Sequence, residues 1–203
     1  MDTYAFWDGD VLSGTLLVFT NAALVPAIFT LTLMGDAVSA LLFTNTLIAS
    51  SHYHLCRAGL FCLFRYEMHK MHDYLSVYIS MIWILTKLGI RSLHLHVFAF
   101  FFAFLIAQFF ILGEADTAML PLVGIGLPTL IAFVHSRVKK TRLFYHTGWA
   151  VATFVFALAG AVFMFALSEG AYGWAHSLWH VFSMLAAWTF IIAIRREVKA
   201  SKI

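Results

Sequence analysis

Ala175-His176-Ser177-Leu178-Trp179-His180-Val181 places two imidazoles in a run that is otherwise apolar from Trp174 to Ile194. Read as a helix, the run sets the two rings on one face, about 6 Å apart along the axis. An imidazole in hydrocarbon is costly without a partner, so an ionisable pair there marks a functional site. The pair also fits two polar residues at the lipid headgroup level, bonded to neighbouring helices or water. The window alone leaves both readings open.

The rest of the chain has the same character. Of its 203 residues 62% are hydrophobic and only 11% charged, and the mean hydropathy is +0.88. A soluble domain carries about a quarter charged residues, so the composition predicts a membrane protein. Each crossing needs about 20 apolar residues. The runs fall at 12–33, 37–56, 74–90, 93–112, 118–136, 147–167 and 174–194. The expected fold is therefore an all-α multipass membrane protein: seven transmembrane helices forming a single domain over residues 1–203. The head, Met1 to Asp10, lacks the basic region and small-residue cleavage site of a signal peptide, so the first run counts as a span. Within it, Asn21 and Pro26 predict a kink with the polar group turned inward. Lys87, near the end of the third run, is expected to snorkel to the interface.

Charge fixes the expected orientation. With the N-terminus outside and the C-terminus cytoplasmic, ten of the 13 Lys and Arg side chains fall on the cytoplasmic side. Only Arg57, Arg65 and Lys70 stay outside. The basic residues thus read as topology, and no nucleic-acid partner is expected. Between Arg57 and His72, large apolar residues alternate with charged ones, which predicts a segment lying in the outer interface. Cys56 and Cys62 flank its start on the oxidising side, where a disulfide and two free thiols are both open readings.

This topology brings polar residues together. His54 lies near the outer end of the second helix, with Ser50 one turn deeper on the same face. Asp73 stands at the start of the third helix, and His176 one turn above His180 on the seventh. Three histidines with an open position suit zinc, and no carboxylate or thiolate cluster points to calcium or an iron–sulfur centre. His54, His176 and His180 are the expected metal ligands. Asp73 is the expected base toward a water, and Ser50 its orienting or oxyanion-stabilising partner, both catalytic. Ser51 rivals Ser50. His52 points elsewhere, and His69 or His72 is a weaker candidate ligand. The histidines at 94, 96, 135 and 146 read as polar caps at helix ends.

Ser50-x-x-x-His54, Asp73 at the start of a helix and His176-x-x-x-His180 together resemble a superfamily of seven-helix zinc membrane hydrolases. It includes alkaline ceramidases, adiponectin and progestin receptors, and lipid-anchor remodelling proteins. His54-Leu55-Cys56, Asp73-Tyr74-Leu75-Ser76-Val77-Tyr78 and Val138-Lys139-Lys140 resemble, within it, the myomaker-like family of myoblast fusion. The resemblance implies a multipass protein of the plasma membrane, or of the Golgi or another endomembrane, acting in membrane fusion or remodelling with an embedded zinc. Its alternative implication is zinc-dependent hydrolysis of lipid amides or esters. Membrane lipids are the expected partners, and the many Phe side chains fit lipid contact or a homodimer. Whether the metal does chemistry or holds helices together stays open at this point.

Overall fold

The computed structural model of the protein describes residues 11–87, 144–165 and 172–194, with the single positions 97, 101, 134 and 138. The first apolar run forms a broken rod: α1 (Val11–Thr20), a 3-10 turn (Asn21–Leu24) and α2 (Val25–Leu33). Pro26 in the first turn of α2 accounts for the break. It has no N–H to donate, and its ring crowds the carbonyl of Ala22 four residues back, so an α-helical ladder cannot pass through. The tighter turn carries Asn21 inward, where it is fully buried.

Two Schellman turns join the next helices. Gly35 and Gly59 both adopt φ +71°, a conformation that only glycine takes at little cost. Gly35 N–H donates to the Thr32 carbonyl and Asp36 N–H to that of Leu31. Gly59 and Leu60 repeat the pattern on Cys56 and Leu55. These turns end α2 and α3 (Ala37–Arg57).

Asp36 caps α3. Its carboxylate accepts from the Ser39 backbone N–H at 3.4 Å and the Ser39 hydroxyl at 2.8 Å. Lys87, just beyond α4 (Tyr66–Thr86), ion-pairs with Asp36. Its ammonium also donates to Ser39 Oγ at 2.7 Å, beside the Trp83 indole N–H at 3.0 Å. Lys87 therefore does not snorkel: it ties the end of α4 to the start of α3. Burial alone would raise the Asp36 pKa, but hydrogen bonds from Lys87 and Ser39 and the Lys87 charge hold it below the ordinary value. A depressed carboxylate stabilises the fold above its unfolded pKa, and that contribution is lost as pH falls through the folded value. Lys87→Met is expected to lower stability by about 1–2 kcal/mol at pH 7, discounted for the partial exposure of the pair. Thermal unfolding of the two proteins should converge as pH falls through the depressed Asp36 value, where the carboxyl is protonated in both.

α4 begins eight residues before the apolar run that predicts it. Residues 66–73 carry Glu67, His69, Lys70, His72 and Asp73, so hydropathy reads them as interfacial. A helix needs only its hydrogen-bond ladder, and this stretch has neither Gly nor Pro to break it. Glu67 in the first turn also suits the helix dipole.

α5 (Thr147–Phe165) lies along α6 (Tyr172–Ile194). The Phe163 and Phe182 rings stack at 5.4 Å, and Thr153 Oγ1 donates to Thr189 Oγ1 at 3.0 Å. The Ala193 carbonyl accepts from the Tyr145 and His146 backbone N–H groups, fixing the entry to α5. On its other side α6 joins α2, α3 and α4 in one core of Leu24, Leu31, Phe43, Ile84, Met184 and Ile191.

The expectation of seven transmembrane helices is corrected. The described residues form five helical bodies, counting α1 to α2 as one, and two are long and apolar enough to cross a membrane: Val11–Leu33 and Gly173–Ile194. Thr147–Phe163 is a shorter apolar stretch. α3 and α4 are helical but polar, because their apolar residues alternate with Ser, Thr, His and charged side chains. Apolarity sufficient to build a helical core was read as apolarity sufficient to span. The multipass placement at the plasma membrane, or in the Golgi or another endomembrane, and the orientation drawn from seven spans fall with that count. The expected spans 93–112 and 118–136 lie outside the described residues apart from single positions, as do His94, His96 and His135.

Candidate metal centre

Two helices deliver three imidazoles to one buried point. His54 comes from the last turn of α3, and His176 and His180 from successive turns of α6. One ligand nitrogen from each lies within 4.8 Å of the others, and all three residues are buried. The ring centroids are 5.4 Å apart for His54 and His176, 4.9 Å for His54 and His180, and 4.7 Å for His176 and His180. Trp179 packs beside both histidines of α6, at 4.9 and 5.1 Å.

The close approach depends on small residues where α1 meets the end of α3. A Cβ at Gly14 would stand 2.3 Å from the Ala58 Cβ, so no larger residue fits there unless the helices part.

His54 is completely buried, and neither ring nitrogen has a hydrogen-bond partner. Each such orphan costs about 1–3 kcal/mol. Burial above all, then the neighbouring His180, His176 and Arg57, keeps its pKa well below the ordinary imidazole value, so the ring is neutral. A neutral imidazole with an unpaired lone pair, facing two others, has the donor set a divalent cation requires. The cluster can coordinate a divalent metal.

Ser50 lies one turn before His54 on α3, and Asp73 on α4 reaches Ser50. Ser50 Oγ donates to Asn21 Oδ1 at 3.3 Å and is also within hydrogen-bonding reach of the Asp73 carboxyl. Asp73 Oδ1 is buried without a partner. Burial pushes the Asp73 pKa up to about 7, against the opposing hydrogen bond from Ser50.

Other residues complete the surroundings. The 3-10 turn sets Asn21 between the rival serines, its Nδ2 donating to Ser51 Oγ at 3.4 Å. Thr20 Oγ1 is 3.5 Å from His180 Nδ1, and the Leu17 carbonyl is hydrogen-bonded to the same ring. Such outer partners orient a ligand ring and fix its tautomer. Sequence reasoning turned Asn21 inward without finding its partners, and missed Thr20 and Leu17. A lone Asn in an apolar run is the one available signal, since a backbone carbonyl leaves none.

The remaining candidates lie elsewhere. His52 packs edge-on to His69, with ring centroids 6.1 Å apart. His69 Nε2 accepts the Phe64 backbone N–H at 3.1 Å, so it caps the loop between α3 and α4. His72 is exposed. Cys56 and Cys62 form a disulfide across the start of that loop.

A family model described as "Protein of unknown function (DUF3522)" matches residues 10–181. No curated protein matches the chain. The resemblance to the myomaker-like family and its superfamily is therefore corrected: the matching family is described as one of unknown function, and the described residues do not make a seven-helix bundle. The reading as a protein of myoblast-type membrane fusion falls with it. The three-histidine cluster favours the hydrolytic alternative instead.

Proposed function

We propose, for a chain that belongs to the DUF3522 family, a metal-dependent hydrolase in which His54, His176 and His180 hold zinc and a lipid amide or ester is cleaved. The observation that carries this reading is His54, a fully buried, neutral imidazole with both nitrogens unpartnered, facing two more imidazoles. Histidine nitrogen suits zinc, and three protein ligands leave the open position that catalytic sites keep.

Bound zinc supplies Lewis acidity, which acidifies a water and polarises a carbonyl. Asp73 Oδ1 accepts the proton from the attacking water and returns it to the leaving amine or alkoxide, so water is consumed and an acid and an amine or alcohol are released. A carboxyl with its pKa near 7 suits both halves of that transfer. Ser50, within reach of the Asp73 carboxyl, directs it, and turns its one O–H from Asn21 toward the oxyanion as that charge develops. Exposed Leu60, Phe61, Leu63 and Phe64, in the loop that follows α3, support an acyl-bearing substrate.

Purified protein loaded with zinc should release fatty acid from a panel of N-acyl and O-acyl lipids, and lose that activity to a chelator. Zinc that binds at about one per chain with no turnover of any member would make the metal structural and defeat the enzymatic reading.

A further inference from the structure

Large apolar side chains gather at one end of the molecule. Leu60, Phe61, Leu63 and Phe64 in the loop after α3, with Met68 and Met71 on α4, are each 49% to 61% exposed. Exposed apolar residues scattered singly need no explanation, but six within twelve positions mark a surface that something covers. The loop holds them out. The Cys56–Cys62 disulfide and the Gly59 turn fix its start. The Phe61 ring lies edge-on to His52 at 6.4 Å, and the Phe64 ring lies 5.8 Å from that of His69, whose Nε2 accepts the Phe64 N–H. Each aromatic ring is thus anchored on an imidazole and still about half exposed.

The layout of the chain identifies the occupant. Among the described residues, Val11–Leu33 and Gly173–Ile194 are long and apolar enough to cross a membrane, and both begin at this end. A Cβ at Gly14 would meet Ala58 and one at Gly173 would meet Ser13, so the starts of α1 and α6 stand level with the end of α3. Trp174, at the start of α6, and Tyr74, on α4, are exposed there too. These are the aromatic types that collect at the headgroup level of a bilayer. Glu67 and Lys70 interrupt the apolar patch, and Arg65 precedes them. The buried core of a protein–protein interface is depleted in Lys and Glu. A lipid boundary accepts them, because long side chains lay their stems on apolar groups and keep their charges among headgroups and water.

We infer that residues 60–74 form a docking face for a lipid bilayer, seated at the headgroup–acyl boundary of the leaflet that the two apolar stretches enter. His54 lies about 5 Å below the end of α3, so a resident lipid reaches the histidines sideways from the leaflet. That delivery rests on the zinc-hydrolase reading; the docking itself does not.

The test uses the full chain in phosphatidylcholine vesicles, with a bimane probe attached through Phe64→Cys, Met68→Cys or Met71→Cys. Lipids brominated near the glycerol end of the acyl chain should quench each probe severalfold more than lipids brominated near the terminal methyl. Iodide in the water should quench it severalfold less than free dye. The unaltered chain supplies a second reading if a variant does not fold. A lipid carrying a diazirine near the glycerol end of its acyl chain should label peptides from residues 60–74 on illumination. Probes that iodide reaches as readily as free dye, with no quenching by either lipid, place the face in water and overturn the inference. Probes shielded from all three quenchers lie under protein, either a second copy or another part of this chain, and overturn it equally. Docking in vesicles whose lipids the zinc-loaded protein never cleaves supports the inference and defeats the hydrolase reading alone. Cleavage without docking does the reverse.

Discussion

His54→Ala is expected to abolish zinc binding and, with it, the stabilisation that zinc confers. The substitution removes the one ligand contributed by α3, leaving the i, i+4 pair of α6 to hold a metal alone. Two imidazoles on one helix can still capture a metal weakly, but the third joins α3 to α6 through the ion. A ligand present at 1,000 times its Kd stabilises a native state by about 4 kcal/mol. For a chain of this size that corresponds to a rise in Tm on the order of 10 °C. Wild-type protein should show that rise on adding zinc, and His54→Ala should show none. Without metal the variant should differ little, because the loss of packing is offset by removal of two unsatisfied nitrogens. Equal zinc-dependent Tm shifts in the two proteins would mean that the metal sits elsewhere. His180→Ala should behave similarly, with an added loss of the contacts that Thr20 and Leu17 make to its ring.

The convergence of His54, His176 and His180 was legible because it depends on quantities the sequence states: helix position, i+4 spacing and chain direction. A helix that ends near residue 57 and one that begins near 172 must bring their polar turns to the same end of an antiparallel pair. The membrane count was less legible. Residues 37–57 contain enough apolar side chains to line a core, and Ser39, Thr46, Ser50 and His54 are polar residues turned into that core. Hydropathy averages over the whole helix surface, so it cannot separate a helix buried in protein from one exposed to lipid. The start of α4 was hidden for the converse reason, since its first turns are charged yet fully helical. Asn21 depended on a change of pitch. One 3-10 turn alters the rotation per residue, so the face presented before Pro26 cannot be projected from the face presented after it.

Asp73→Asn should stabilise the metal-free protein above neutral pH while abolishing hydrolysis. Burial moves the Asp73 pKa from the ordinary 3.8 to about 7, so between those values the folded protein holds a proton that the unfolded chain has released. Stability therefore falls as pH rises through that window, and above pH 7 the full cost of a buried carboxylate is present. A shift of this size corresponds to something on the order of 4 kcal/mol. Asparagine keeps the shape without the charge. The variant should match wild type near pH 4 and melt at clearly higher temperature at pH 8. Zinc changes the comparison, because a nearby dication favours the ionised carboxylate and draws the Asp73 pKa down. The advantage of Asp73→Asn should accordingly shrink or vanish when zinc is bound. Hydrolysis should fall by about 100-fold or more, the scale of a lost general base. A gain in Tm that is equal at pH 4 and pH 8 would show that Asp73 is ionised throughout. A gain that persists unchanged with zinc would separate the carboxyl from the metal, and the proton transfer assigned to Asp73 would then have no basis.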